Sequence, residues 1–222
     1  MNLARRLAAE AIGTALLLAI VVGSGIMGER LSQGNDAVTL LGNSIATGTG
    51  LAVLIFLFAP ISGAHFNPVV TLSEVIENKL KWRDALAYLP VQIVAALAGV
   101  AAAHLMFGEA LFTPSDHARI GPSQWWSEFI ATFGLILVIK LSIHHNTKAI
   151  PLTVAAYITA AYWFTSSTSF ANPAVTIARS LTPTFAGIRP DGVLGFIVAQ
   201  LLGAFVAANF VKWLVGPQPE HS

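Results

Sequence analysis

Long apolar runs alternate with short polar breaks along this chain. Six runs are long enough to cross a hydrocarbon core of about 30 Å. They lie at roughly 6–28, 37–59, 85–107, 125–143, 149–168 and 191–215. The pattern predicts a spanning helix at each. The breaks at 29–36 and 108–124 carry polar residues, Gly and Pro, which suits loops. Pro151 fits the first turn of the fifth helix. Arg5 and Arg6 ahead of an apolar run look like the front of a signal peptide. The run from Ala8 to Gly28 is nevertheless of spanning length and lacks a clear cleavage site, so it predicts the first membrane helix.

The gaps at 60–84 and 169–190 have a different composition. Each opens with small and polar residues, passes through an Asn-Pro element and ends in a helix-like tail. The two elements are near-copies: Asn67-Pro68-Val69-Val70-Thr71-Leu72 and Asn172-Pro173-Ala174-Val175-Thr176-Ile177. Proline suits a first helical turn, where its missing N–H is not needed. Asparagine just before it can cap the free N–H groups. Each element therefore predicts a short helix. About 12 residues from Pro68 to Lys79 would give roughly 18 Å, half the membrane. A half-span has to be shielded by protein or line a water-filled cavity.

The halves repeat. Glu10-Ala11-Ile12-Gly13-Thr14 resembles Glu128-Phe129-Ile130-Ala131-Thr132, and the segment around Gln92 resembles that around Gln200. With the Asn-Pro pair these are three matches in one order, at spacings of roughly 110 residues. Three spans per copy is an odd number, so the second copy enters the membrane upside down. The expected organisation is one domain over 1–222, with inverted repeats at about 1–108 and 120–216. The two half-helix N-termini then meet at the midplane.

Composition agrees with a membrane protein. Hydrophobic residues make up 55% and charged residues 10%, against about 25% charged in soluble domains. There is no cysteine, which excludes disulfides and thiolate chemistry. A net charge of +1 offers nothing to nucleic acid. No nucleophile–base pair, phosphate loop or metal-ligand spacing is present, so neither an enzyme nor a cofactor is expected. Arg5, Arg6, Lys79, Lys81, Arg83, Lys148 and Lys212 fall on one side, with Lys140 near it. Arg30, Arg119, Arg179 and Arg189 fall on the other. The richer side is cytoplasmic, so both termini are expected there.

The stretch Ser62-Gly63-Ala64-His65-Phe66-Asn67-Pro68-Val69, the second motif Asn172-Pro173-Ala174, the two Glu motifs and the two glutamines resemble the aquaporin (major intrinsic protein) superfamily. The resemblance covers essentially the whole chain. It implies an all-α membrane fold of six transmembrane helices plus two re-entrant half-helices around one pore per subunit. It also implies a homotetramer in the inner (plasma) membrane. Two positions depart from the family pattern. Val69 stands for the usual alanine of the first motif. Val175 stands where water- and glycerol-selective members usually carry arginine.

By the same resemblance Asn67 and Asn172 present amide groups to the pore. Carbonyls of Gly63, Ala64, His65, Thr168, Ser169 and Phe170 form a ladder of acceptors. Glu10 and Glu128 accept hydrogen bonds from the re-entrant loops. A mid-membrane carboxylate costs roughly 2.5–3.5 kcal/mol to insert and needs such partners. The selectivity constriction falls at Thr47, Ala160 (or its neighbour Ala161), Ser169 and Val175, a ring that is small, weakly polar and uncharged. Glu74 and Arg179 each stand seven residues after an asparagine, near its helical stripe. They are vestibule candidates, with snorkelling or a local ion pair as the alternative. His65 is either a loop anchor or a pH-sensitive group.

The expected function is passive passage of small neutral polyhydroxy solutes. Val175 and the segment Ala178–Ile188 resemble a bacterial branch associated with arsenic resistance, which implies undissociated arsenous acid, with glycerol or water possible. The alternatives are an ordinary water or glycerol facilitator, an ion-coupled secondary transporter and a closed structural junction protein.

Overall fold

The computed structural model describes residues 1–216, and all of its regular structure is helical. The helices are α1 (Leu3–Leu31), α2 (Asp36–Ser62), α3 (Pro68–Ile76), α4 (Trp82–Phe107), α5 (Pro122–His145), α6 (Ile150–Phe164), α7 (Pro173–Arg179) and α8 (Val193–Val215). Single 3₁₀ turns precede α6 and α8. The last positions of the expected domain, 217–222, lie outside the described residues.

Five of the six predicted spans are helices of 23 to 29 residues. The sixth differs from expectation. The run expected at 149–168 is helical only over Ile150–Phe164, 15 residues, or roughly 22 Å. It stops where Thr165 turns to extended backbone and polar Ser166 and Ser167 follow. The first half-helix is also shorter than the expected stretch to Lys79. Asn78 takes a left-handed φ of 57°, and the N–H groups of Lys79 and Leu80 both return to the Glu74 carbonyl. That wraps up the free carbonyl end of α3 and terminates it.

Each half has the same neighbours. α1 packs on α2 and α4, and α5 packs on α6 and α8. α3 touches α4 and α8, α7 touches α8 and α4, and α3 and α7 meet each other. The close crossings depend on missing side chains. A Cβ at Gly99 would lie 2.2 Å from the Ala15 carbonyl oxygen, and one at Gly203 would lie 2.5 Å from that of Phe129. Small residues that let backbones approach are the usual device where lipid offers no hydrophobic drive between helices. Outward faces are apolar: Phe56, Leu105, Leu152, Leu194 and Trp213 are all exposed. Polar residues go inward instead, among them Glu10, Gln92, Glu128 and Gln200.

Candidate functional site: a passage lined by two crossed loops

The site is built from the two segments that precede α3 and α7. Asn67 caps α3 by accepting from the Val69 N–H at 3.1 Å, and Asn172 caps α7 by accepting from Ala174 at 3.0 Å. Each amide oxygen is thereby fixed, so each NH2 points away from its own helix. Asn67 Nδ2 donates to the Ala171 carbonyl and Asn172 Nδ2 to the Phe66 carbonyl, both at 2.8 Å. The two loops are cross-linked by their own tips.

Those loops are not relaxed backbone. Gly63, Ala64 and Phe66 have φ of 90°, 50° and 49°, and Thr168, Ser169 and Ala171 have 61°, 52° and 48°. The same pattern recurs at matching positions before each asparagine. A non-glycine residue in a sparsely populated region of backbone space costs about 1–3 kcal/mol and persists only where the surroundings over-determine it. Two buried carboxylates do that here. Glu10 accepts from Ser62 Oγ (2.7 Å), His65 N (2.9 Å), Phe66 N (2.7 Å) and Gln92 Nε2 (2.9 Å). Glu128 accepts from Ser167 Oγ (2.6 Å), Phe170 N (2.9 Å), Ala171 N (2.8 Å) and Gln200 Nε2 (2.6 Å). Each glutamine also donates to a half-helix threonine, Thr71 or Thr176, at 2.9 Å. Hydrogen bonds to a charged acceptor are worth about 1.5–3 kcal/mol each, enough to hold the turns.

The halves trade volume at one place. Phe66 fills the notch over Gly13, where a Cβ would come within 2.0 Å of its ring. At the matching positions of the second half stand Ala171 and Ala131, both buried. The first half thus sets a large loop residue over glycine where the second half has a small loop residue and a buried alanine.

A cavity of about 250 Å³ runs past these tips. Along α2 it is lined by Thr47, Leu51, Ile55 and Ala59, and along α6 by Tyr162, Ile158, Val154 and Ile150. Thr47 Oγ1 and the Tyr162 hydroxyl are 3.2 Å apart, so the start of one row faces the end of the other. From Thr47 to Ala59 is roughly 18 Å of helix. The wall is apolar except at Asn67, Asn172, the re-entrant loops and the two ends.

Most residues expected from the sequence line this cavity: Asn67, Asn172, Gly63, Ala64, His65, Ser169, Phe170, Thr47, Val175, Glu74 and Arg179. Pro68, Val69, Pro173 and Ala174 are buried behind them as the first turns of α3 and α7. Thr168 is half-buried beside the outer loop and accepts from Arg119. Ala160 is corrected: it is exposed on the outer face of α6, and its neighbour Ala161 is buried but does not line the cavity. Tyr162 stands there instead. Val154, Ile158 and Tyr162 are four residues apart on one helical stripe, and that spacing could have found Tyr162 without coordinates.

The uncharged ring is also corrected. Arg179 is 2% exposed and lines the cavity, with its guanidinium carbon 3.4 Å from the centre of the Phe170 ring and its Nε donating to the Ala186 carbonyl. Helical side chains lean toward the N-terminus, so a residue near the end of α7 carries its head back to the loop. Arg119, which the sequence did not single out, braces that loop from outside. It donates to the carbonyls of Gly187 (2.9 Å) and Ser167 (3.2 Å).

At the opposite end Glu74 is paired rather than free. Lys140, 4% exposed, bridges Glu74 at 2.5 Å and Glu77 at 3.0 Å, and Lys79 reaches Glu77 at 2.7 Å. Burial pushes the Glu77 carboxyl up, but hydrogen bonds and charge from Lys79 and Lys140 outweigh it and leave it below its ordinary value. His65 Nδ1 is 3.0 Å from Thr71 Oγ1, and its ring lies 5.3 Å from that of Tyr88.

The model of the family described as major intrinsic protein matches residues 1–162 and 141–221. The chain belongs to the major intrinsic protein family. It is therefore a multi-pass membrane channel rather than an enzyme. Aquaglyceroporin AqpS of Rhizobium meliloti (strain 1021) is 51% identical over 216 residues, covering 97% of this chain and 92% of that one. Aquaporin NIP1-1 of Oryza sativa subsp. japonica is 31% identical, covering 97% and 77%. The solved structure of the aquaglyceroporin from Plasmodium falciparum superposes with a TM-score of 0.79, covering 97% of this chain and 98% of that one. At 19% identity it shows the fold alone.

Proposed function

We propose that this major intrinsic protein is a passive passage for small neutral polyhydroxy solutes, with undissociated arsenous acid first and glycerol and water beside it. The carrying observation is the pair of asparagine tips at the cavity wall, each held by the other loop's carbonyl. An amide NH2 has two hydrogens, and one of each pair remains to meet a solute. Loop carbonyls from Gly63 to His65 and Thr168 to Phe170 supply acceptors. A hydroxyl solute exchanges water for these groups at small net cost, because a hydrogen bond contributes only about 1 kcal/mol net. Arsenous acid is a neutral trihydroxy molecule at neutral pH and presents the same groups as glycerol. The relative named an aquaglyceroporin, at 51% identity, supports the solute class.

In this reading the two repeats, about 1–108 and 120–216, sit in the membrane in opposite senses. The chain assembles as a homotetramer in the inner membrane with both termini cytoplasmic. Thr47, Tyr162 and Arg179 then face outward, and Glu74 with Lys140 lines the inner mouth.

Stopped-flow light scattering on proteoliposomes tests the solute. Arsenous acid and glycerol should enter at least ~10-fold faster than into empty vesicles, without saturation and without response to a proton or sodium gradient. High water flux with arsenous acid excluded would leave an ordinary water facilitator. Saturable flux that follows an ion gradient would favour a coupled transporter.

A further inference from the structure

The family motif leaves an apolar Val175 directly behind the second Asn-Pro-Ala, yet a cation stands in the passage. We propose that Arg179, one helical turn further on, is the specificity-determining residue of the outer constriction. It takes solute oxygens on the free N–H groups of its guanidinium fork. The inference rests on the channel reading above.

Three observations carry it. Position 179 follows Val175 by four residues, so the two share a stripe of α7, about 6 Å apart along its axis. Both line the cavity. The arginine head has come back from its own level to stack on Phe170, at 3.4 Å.

The guanidinium is also unpaired. Its protein hydrogen bond runs from Nε to the Ala186 carbonyl. Among the described residues no carboxylate lies within ion-pair distance of it. A buried arginine normally has an anion. Here a ring face and one carbonyl hold it in place, and the remaining N–H groups of its fork are left for the passage. The pseudo-equivalent residue, Glu74, is by contrast neutralised by Lys140.

Ser169 lines the same cavity, but its hydroxyl oxygen is buried away from it without a hydrogen-bond partner. The planar guanidinium fork by itself presents parallel N–H groups, which suit a small solute with adjacent hydroxyl oxygens. A fixed positive charge at that level repels protons and metal cations.

The test uses the full chain in proteoliposomes, with arsenous acid, glycerol and the longer polyol sorbitol as solutes and an entrapped pH dye for proton leak. Wild type should pass the first two, exclude sorbitol and leak few protons. Arg179→Val should raise proton leak by ~10-fold or more and let sorbitol in. The swap Val175→Arg/Arg179→Val moves the guanidinium by one turn and should restore a low leak. Should Arg179→Val fail to fold, Arg179→Lys keeps the charge but loses the planar fork. It should keep protons out while the glycerol-to-sorbitol ratio falls several-fold. An Arg179→Val protein, or an Arg179→Lys protein in its place, with wild-type leak and wild-type solute ratios overturns the inference alone. A wild-type protein that passes none of the solutes overturns the channel reading, and this inference with it.

Discussion

Glu128→Gln should lower the stability of the detergent-solubilised protein by about 2–6 kcal/mol and abolish solute flux. The carboxylate accepts from Ser167 Oγ, Phe170 N, Ala171 N and Gln200 Nε2. A glutamine offers one acceptor oxygen, and its NH2 would face donors. About two of the four donors would then be left unpaired in a fully buried site, at roughly 1–3 kcal/mol each. Thr168, Ser169 and Ala171 would lose what holds them at positive φ. The loop carrying Asn172 would relax, and the bond from Asn172 to the Phe66 carbonyl with it. Thermal unfolding followed by circular dichroism measures the stability, and stopped-flow scattering measures the flux. Glu109→Gln is the control. It removes an exposed pair with Arg30, worth less than about 1 kcal/mol. If Glu128→Gln melts and conducts as wild type does, the carboxylate is not what holds the loop.

Gly99→Ala should cost about 1–3 kcal/mol, although alanine is the better helix former by nearly 1 kcal/mol. The added methyl would stand 2.2 Å from the Ala15 carbonyl oxygen and 2.8 Å from the Leu18 Cβ. The oxygen belongs to backbone, so no rotamer change relieves the clash and α1 and α4 must part. The loop held by Glu10 on α1 and Gln92 on α4 would move with them. Gly42→Ala is the opposite case, because nothing lies within 4 Å of a Cβ there, and it should be neutral or slightly stabilising. Melting temperatures of the two variants side by side decide it. Equal melting would mean that the α1–α4 approach is softer than its geometry implies.

The membrane fold was legible because its signals are local. Apolar runs of spanning length mark α1, α2, α4, α5 and α8 whatever they pack against. Asn-Pro at 67–68 and 172–173 marks the starts of α3 and α7, because capping involves only the next few residues. Glu10, Glu128, Gln92 and Gln200 stood out as polar groups in apolar helices that must find partners. Which partners they have depends on how four separate segments converge, and no spacing along the chain states that.

The constriction was harder to read. The family resemblance points to Ala160 by its position along the chain, which does not follow the turn of α6; Ala160 is on the exposed face and Tyr162 on the cavity. Arg179 stands seven residues after Asn172, near its helical stripe, which does not say where its head lies. Its side chain is long enough to return by about the rise of one turn, so axial position alone misleads for this residue type.

By itself the sequence determined an all-helical membrane protein with two capped half-helices and a duplicated order of motifs, since length, hydropathy and cap chemistry act over a few residues. Tertiary structure alone decided what lines the passage. Only packing sets how each helix is rotated, that the asparagine amides cross to the opposite loop, and that the head of Arg179 lies on the Phe170 ring.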